Sequence, residues 1–262
     1  MCPEYGQAPA ENVVGPPILI SKPPGSDLES NHLLQGFSTE AYSKLADFLD
    51  PVDVAYGEVL WSPDVPIAAV YFPRTAVCSI STPLSRAPSV ESVSVGHEGM
   101  LGTAVLLGSG SSHTTAQTHV AGTAVRIPAN DFLEWLETTE AAAGAVRLLR
   151  RYVQTLLDQT AQSVACSGRH AIRERCARWL LATRDRVGGD EFGLKHEVLA
   201  AILGVRRASV TEAAGVLRDE GLIRYSRGRV TIVDEAGLQK ASCECYAVVL
   251  AQQERLRRSS QR

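Results

Sequence analysis

Residues 196–215 read HEVLAAILGVRRASVTEAAG, and the spacing of their apolar and small residues decides the fold of the C-terminal third of the chain. The apolar positions recur at the separations that two short helices use to pack across a tight turn: Leu199, Leu203, Val205, Val210 and Ala213. Ala200 is small where the two helices would cross, and Gly204 supplies the positive φ that ends the first helix. The stretch is therefore predicted to be a helix-turn-helix.

The predicted packing leaves a polar, arginine-rich surface on the first turns of the second helix. Its residues are Arg206, Arg207, Ala208, Ser209, Thr211 and Glu212. An arginine there can donate two hydrogen bonds to a guanine, and hydroxyl groups can contact bases or phosphates. The following segment, GLIRYSRGRVTIVD (221–234), predicts two strands joined by a turn, a wing whose Arg224, Arg227 and Arg229 would neutralise phosphates. An ordinary helical hairpin with a solvated charged face is the alternative interpretation.

Charge is distributed unevenly along the 262 residues, whose net charge is −3. Residues 1–164 carry 8 Lys and Arg against 17 Asp and Glu, whereas residues 165–262 carry 18 against 12. The basic third is where a polyanion such as double-stranded DNA would bind.

Between residues 52 and 128 the chain is a series of short β-type runs bounded by Gly, Pro or Ser. They are VDVAY, AAVYFP, AVCSIST, VESVSV, TAQTHV and TAVRIP. This pattern predicts an antiparallel β-barrel or jelly roll, preceded by a helix over 33–48 and followed by a helix over 129–137. The expected fold class is α+β.

Residues 140–166 have the pattern of a long helix with a narrow apolar seam. The seam consists of Val146, Leu149, Val153, Leu156 and Thr160. It predicts a homodimer, although such a stripe could instead pack on the β domain of its own chain. Ser167 and Gly168 are expected to interrupt this helix before a second one that runs to Arg186.

Together these patterns divide the chain into five regions. They are a flexible tail (1–30), a β domain (31–139), a dimerisation helix (140–166), a winged helix-turn-helix (167–240) and a C-terminal helix with a basic tail (241–262). No apolar run reaches the roughly 18 residues of a membrane span, and no signal peptide is evident. We therefore expect a cytoplasmic protein with no membrane partner.

Three stretches resemble the Crp/Fnr superfamily of bacterial transcription regulators: GHEGMLG (96–102), RIPANDFLEWL (126–136) and ILGVRRASVTEAAGVLRDEGLI (202–223). The resemblance implies a homodimer that binds a pseudo-palindromic operator, is controlled by a signal in its β domain and contacts RNA polymerase. By position it also implies base reading by Arg207, Ala208 and Glu212, and a backbone contact by Ser209.

The glycine-rich stretch GMLGTAVLLGSGSSHTT (99–115) has the texture of a phosphate-binding loop. In the superfamily's cyclic-nucleotide binders, a glutamate follows the second glycine and an arginine lies about ten residues later. Here Thr103 takes the glutamate's place, and no Lys or Arg occurs between Arg86 and Arg126. A buried phosphodiester would lack its counter-charge. We expect a degenerate effector pocket formed by Gly102, Thr103, His113 and Thr114, with an unidentified small-molecule effector; a cyclic-nucleotide or other small-molecule sensor is the alternative.

No nucleophile–base pair or phosphate loop suggests catalysis, so we expect neither an enzyme nor a cofactor. A metal held by His97, His113 and His119 is a minor alternative. The six cysteines (Cys2, Cys78, Cys166, Cys176, Cys243 and Cys245) show no zinc-type spacing, which predicts buried free thiols and no metal site. Residues 237–258 are predicted to form one further helix, on which Cys243 and Cys245 would face different ways and serve packing rather than a redox switch.

Overall fold

The structure is a computed structural model that describes residues 31–138, 140 and 142–259. The tail predicted over residues 1–30 lies outside the described residues. The mixed helix and strand content confirms the α+β expectation. Among the described residues, no helix combines the length and apolar character needed to cross a membrane.

Within the described residues 31–138 there are four short helices and seven strands. In chain order they are α1 (His32–Gln35), α2 (Thr39–Ala46), β1 (Asp50–Val54), β2 (Val59–Trp61), β3 (Ala69–Pro73), β4 (Val77–Leu84), β5 (Ala87–Val95), α3 (Thr103–Leu106), β6 (Thr115–Val120), β7 (Gly122–Pro128) and α4 (Ala129–Thr138). All six predicted strands are present, whereas β2 was missed because it has only three residues. The helix predicted over 33–48 is two helices, since the Ser38 side chain accepts the Ala41 N–H and starts α2 anew.

The strands form two open antiparallel sheets rather than a closed barrel, in the orders β1-β7-β3 and β2-β6-β4-β5. In the first sheet Val70 lies opposite Ile127, and Phe72 lies opposite Val125. All four of these side chains are fully buried. They share one core with Trp61 and Cys78 of the second sheet, as expected for a jelly-roll-like sandwich.

The rest of the chain is largely helical. Its elements are α5 (Ala142–Arg169), α6 (Ile172–Val187), β8 (Glu191–Gly193), α7 (His196–Leu203), α8 (Arg207–Asp219), β9 (Ile223–Ser226), β10 (Arg229–Ile232), α9 (Glu235–Ala241) and α10 (Cys245–Ser259). The expected interruption at Ser167 and Gly168 is wrong, because α5 continues through both residues to Arg169. Both are exposed, so their poor helix propensity is outweighed by the packing of the opposite face of α5.

The single helix predicted over 237–258 is also wrong. The chain leaves α9 at Ser242, whose hydroxyl donates to the Gln239 carbonyl and whose backbone is extended. It enters α10 three residues later, and α10 returns along α5 to place Leu256 in the core of the β domain. A local hydrogen bond of a serine thus replaces one helix by two.

The predicted dimer seam of α5 does not all face outward. Leu149 is fully buried in the chain's own core, and Leu156 packs against that core. Leu149 is therefore an internal packing residue, because the β domain covers the face that the heptad spacing assigned to a partner. The large apolar side chains of α5 that remain exposed are Leu157 (60%) and Val164 (71%).

The loop of residues 96–99 joins the β domain to α5 and α6. A Cβ added at Gly99 would lie 2.4 Å from the Tyr152 hydroxyl, and one at Gly96 would lie 2.8 Å from the Arg186 Cβ, so both positions need glycine. Between them, Glu98 Oε1 accepts a hydrogen bond from Arg186 Nε at 2.7 Å, with 11% and 8% of the two side chains exposed. Burial alone would raise the pKa of Glu98, but the Arg186 charge outweighs it and holds that pKa below its usual value.

Removal of the Glu98 carboxylate is expected to destabilise the protein, since it leaves Arg186 charged and almost fully buried. We expect Glu98→Ala to lower the free energy of unfolding by roughly 3 kcal/mol. Asp50→Ala, which breaks an exposed pair with Arg126, should cost at most about 1 kcal/mol. Urea unfolding of both variants at pH 7 measures the two effects, and equal losses would contradict a special role for the buried pair.

Because the folded-state pKa of Glu98 is lowered, the stabilisation by this group is present above the ordinary glutamate pKa. It is lost as the pH falls through the folded-state value. The difference in unfolding free energy between the wild type and Glu98→Ala should therefore shrink on acidification.

Candidate nucleic-acid interface

The helix-turn-helix is formed by α7, Gly204 and α8, as predicted. Gly204 has φ of 64° and ends α7, and the Val205 N–H donates to the Ala200 carbonyl at 3.0 Å. The two helices pack through buried side chains at the predicted positions, namely Leu199, Ala200, Leu203, Val210 and Ala213. From α6, Arg175 Nη2 donates to the Leu203 carbonyl at 2.5 Å and so satisfies a free carbonyl at the end of α7.

Most of the predicted contact residues of α8 are solvent-exposed. They are Arg206, Arg207, Ala208, Thr211 and Glu212, whereas Ser209 is half-buried. Arg206 precedes the first turn of the helix with an extended backbone, and Arg207 begins it. Two adjacent guanidinium groups therefore stand at a helix N-terminus, where free N–H groups also attract anions. Arg207 Nη1 lies 3.4 Å from Glu197 Oε1, an exposed pair that water screens strongly.

His196 is a residue of this surface that the sequence analysis missed. Its Nδ1 lies 3.0 Å from Thr211 Oγ1, and that hydroxyl donates to the Arg207 carbonyl at 3.1 Å. The imidazole ring also stacks at a tilt on Tyr225, with ring centroids 4.4 Å apart. Burial, followed by the Arg207 charge, lowers the pKa of His196, which favours the neutral ring. His196 thus connects α7, α8 and β9.

The wing is a three-stranded antiparallel sheet in the order β8-β10-β9. Its turn places Arg227 at φ of 48° and Gly228 at φ of 76°, and a type I′ turn requires a positive φ at both positions. Asn, Asp or Gly would adopt this backbone more easily than arginine does. Backbone strain at an exposed residue is typical of functional sites, which favours a binding role for the Arg227 side chain. Arg229 is less free, since its Nε donates to Glu191 Oε1 at 2.5 Å.

The residues predicted as a degenerate effector pocket make contacts within the β domain. Gly102 has φ of 94°, and a Cβ there would lie 2.9 Å from Val70 Cγ1, while Thr103 begins α3. His113 is exposed and pairs with Asp64 at 3.2 Å, and Thr114 Oγ1 accepts from Trp61 Nε1 at 3.4 Å. A cavity of about 380 Å³ lies elsewhere, between β5, α5, α6 and α10, with His97, Glu98, Trp179 and Arg186 in its lining.

The structure brings together one group of possible metal ligands that the sequence analysis did not connect. Cys166, His170, Cys243 and Cys245 converge so that one ligand atom from each lies within 4.8 Å of all the others. Sequence spacing could not predict this group, because Cys166 and Cys243 are 77 residues apart. The break between α9 and α10, which the sequence analysis did not foresee, brings them together.

A helix-turn-helix followed by a basic wing defines a winged helix-turn-helix DNA-binding protein. Residues 174–241 match the model of the Crp-like helix-turn-helix domain. No curated protein sequence matches the chain significantly.

Solved structures share the fold of the larger part of the chain. A Crp/Fnr-family transcriptional regulator from Eubacterium rectale is 17% identical, with a TM-score of 0.61 over 80% of this chain and 96% of that one. A Crp-family regulator from Thermus thermophilus is 19% identical, with a TM-score of 0.60 over 73% and 96%. The c-di-GMP-responsive regulator CLP from Xanthomonas campestris is 14% identical, with a TM-score of 0.59 over 74% and 99%.

The domain match identifies a Crp-like helix-turn-helix in residues 174–241, and the larger part of the chain shares the fold of solved Crp/Fnr-family regulators. Together the two findings support a DNA-binding transcription regulator.

A substitution at Arg227 can remove a positive charge from the wing without destabilising the fold. We expect Arg227→Asn to leave the unfolding free energy unchanged or slightly higher, since asparagine tolerates the turn. It should weaken binding to all DNA sequences alike. The slope of log affinity against log salt concentration should become shallower by about one, the value of one lost phosphate contact. Fluorescence anisotropy with unrelated duplexes at several salt concentrations measures both effects.

The matched control is Lys44→Gln, which also removes one positive charge but lies on the exposed side of α2 in the β domain. It should leave the salt dependence of DNA binding unchanged. Equal effects of the two variants would contradict a phosphate contact by the wing.

Proposed function

We propose that the protein acts as a homodimer that reads a two-fold pseudo-palindromic operator in the cytoplasm. One α8 of each protomer would enter a major groove, and the two grooves would lie about 34 Å apart. The wing arginines would hold the flanking phosphates. The observation that carries this proposal is the exposed pair Arg206 and Arg207 at the N-terminus of α8, beside a wing turn that presents Arg227.

Sequence reading is assigned to the exposed side chains of α8. Arg207 is suited to two hydrogen bonds with guanine, while Ala208 and Glu212 would contact neighbouring base pairs. Thr211 is tied to His196 and Arg207, so its hydroxyl would first have to exchange these bonds for a contact with DNA. The half-buried Ser209 would contact the backbone.

Selection of bound sequences from a random duplex library tests this assignment. The wild type should select an inverted repeat, and Arg207→Ala should lose about 1–3 kcal/mol on that site and tolerate other bases at one position of each half-site. Arg218→Ala removes an exposed arginine at the far end of α8 and should select the same sequence as the wild type. A library without any enriched sequence, or an unchanged preference in Arg207→Ala, would contradict the assignment.

For the dimer, the support is the exposed apolar face of α5. Leu157 and Val164 are one heptad apart, and the half-buried Val153 and Thr160 flank them. Val146 is also half-buried on this helix, whereas Leu149 is internal. A parallel or antiparallel pairing of two copies would remove these side chains from water.

We expect Leu157→Glu to convert the dimer to a monomer, because a carboxylate would be buried in the seam. Leu107→Glu makes the same change at a leucine of the β domain that is 64% exposed and should leave the dimer intact. Sedimentation velocity of the three proteins at equal concentration measures the effect. A wild-type monomer, or a dimer in Leu157→Glu, would contradict the seam.

Control is assigned to a signal received by the β domain and passed on through the loop of residues 96–99, which touches both α5 and α6. A cyclic nucleotide is disfavoured, because the region between Arg86 and Arg126 offers its phosphate no cation. Calorimetry with cyclic AMP and cyclic GMP tests this point, and micromolar binding would favour the nucleotide-sensor alternative. Contact with RNA polymerase is proposed for the DNA-bound dimer.

A further inference from the structure

Three cysteines and a histidine meet where the long helix ends. Cys166 lies in the last turn of α5, and His170 directly follows that helix, where its backbone N–H donates to the Cys166 carbonyl at 3.0 Å. Cys243 and Cys245 lie on either side of Glu244, where the chain passes from α9 into α10. All three cysteines are buried, and the four donor atoms are within 4.8 Å of one another.

The separations fit one tetrahedral metal ion. Cys166 Sγ and Cys243 Sγ are 3.6 Å apart, and Cys245 Sγ lies 3.5 Å from His170 Nδ1. In a tetrahedral zinc site, with bonds of about 2.3 Å to sulfur and about 2.0 Å to nitrogen, ligand atoms are separated by about 3.5–3.8 Å. An iron–sulfur cluster distributes its ligands over several irons, so convergence of all four atoms on one point favours a single ion.

Hydrogen bonds around the group orient its donors for a metal. His170 Nε2 lies 3.1 Å from the Glu244 carboxylate, which places the ring proton on that nitrogen and leaves Nδ1 with a lone pair toward the cysteines. The Gln162 amide donates to Cys245 Sγ at 2.9 Å. A disulfide between Cys166 and Cys243 would need neither of these contacts. Three thiolates and a neutral imidazole are the donor set of a structural zinc site.

The positive charge near the group suits three thiolates around a divalent ion, which together carry a net negative charge. The Arg175 guanidinium donates to the Ser167 hydroxyl, next to Cys166, at 3.2 Å.

We propose that each chain binds one zinc ion through Cys166, His170, Cys243 and Cys245. The ion would join the end of α5 to the start of α10. The chain between these two points, 77 residues from Cys166 to Cys243, contains the whole winged helix-turn-helix. Zinc would thus close the base of the DNA-binding domain and fix how it leaves the long helix.

Cobalt provides a direct spectroscopic test on the full-length chain. Reduced, chelator-treated protein is titrated with Co²⁺ and then with Zn²⁺. We expect the visible absorption of tetrahedral cobalt and a near-ultraviolet sulfur-to-cobalt band, both saturating at one equivalent per chain and both displaced by one equivalent of Zn²⁺. Folded, reduced protein without these bands would overturn the proposal, as would a Cys166–Cys243 disulfide that persists under reduction and excludes cobalt.

Variants then assign the ligands. Cys243→Ser and His170→Ala should lose the tetrahedral spectrum or weaken zinc binding by more than about tenfold. Cys78→Ser, a buried cysteine of the β domain beside Thr118, should bind as the wild type does. Glu244→Gln changes an exposed side chain, so it should fold normally and still weaken zinc binding about tenfold. Unchanged spectra in both Cys243→Ser and His170→Ala would contradict this ligand set.

The consequence for DNA rests on the proposed function. Operator affinity of the zinc-loaded protein should exceed that of the metal-free protein, and Cys243→Ser should abolish the difference. The cobalt titration contains no DNA, so a failure of operator binding and a failure of metal binding are seen separately.

Discussion

The arrangement of the two halves of this protein depends on the buried ion pair between Glu98 and Arg186. A guanidinium and a carboxylate that are about nine-tenths buried are stable only while they stay together, because either one alone would lack both water and a counter-charge. Gly96 and Gly99 have no side chains that would keep the helices at a distance. The loop therefore lets Arg186 of α6 and Tyr152 of α5 reach the β domain, and the Tyr152 hydroxyl donates to the Met100 carbonyl at 2.8 Å.

From this pair a continuous series of contacts leads to the DNA-binding surface. α6 carries Arg186 at its end, Trp179 in its middle and Arg175 in its first turn. Trp179 Nε1 donates to Glu91 of β5 at 3.3 Å, and Arg175 binds the carbonyl that ends α7. A rigid helix thus touches the β domain and the turn before α8 at once. A change of the loop at residues 96–99 has a physical route to the position of Arg206 and Arg207, provided that this contact has two stable arrangements.

The cysteine and histidine group lies at the other end of α6, beside its junction with α5. There α10 also packs on α5 before it reaches the β domain with Leu256. With the proposed zinc ion bound, the segment that contains the winged helix-turn-helix would be held at both of its ends. The ion pair restrains α6, and the proposed zinc ion would restrain the chain on entry and on exit.

The sequence by itself determined the local units. The helix-turn-helix, the wing and six strands follow from residue spacing, because apolar periodicity and a glycine with positive φ act within a few residues. Tertiary structure alone decided which face of α5 is internal, since Leu149 has the same heptad position whether the β domain or a second chain covers it. It also decided that α9 and α10 separate, and so that Cys243 and Cys245 meet Cys166 and His170. Contacts between residues 77 apart depend on how whole elements pack, and no local pattern records that packing.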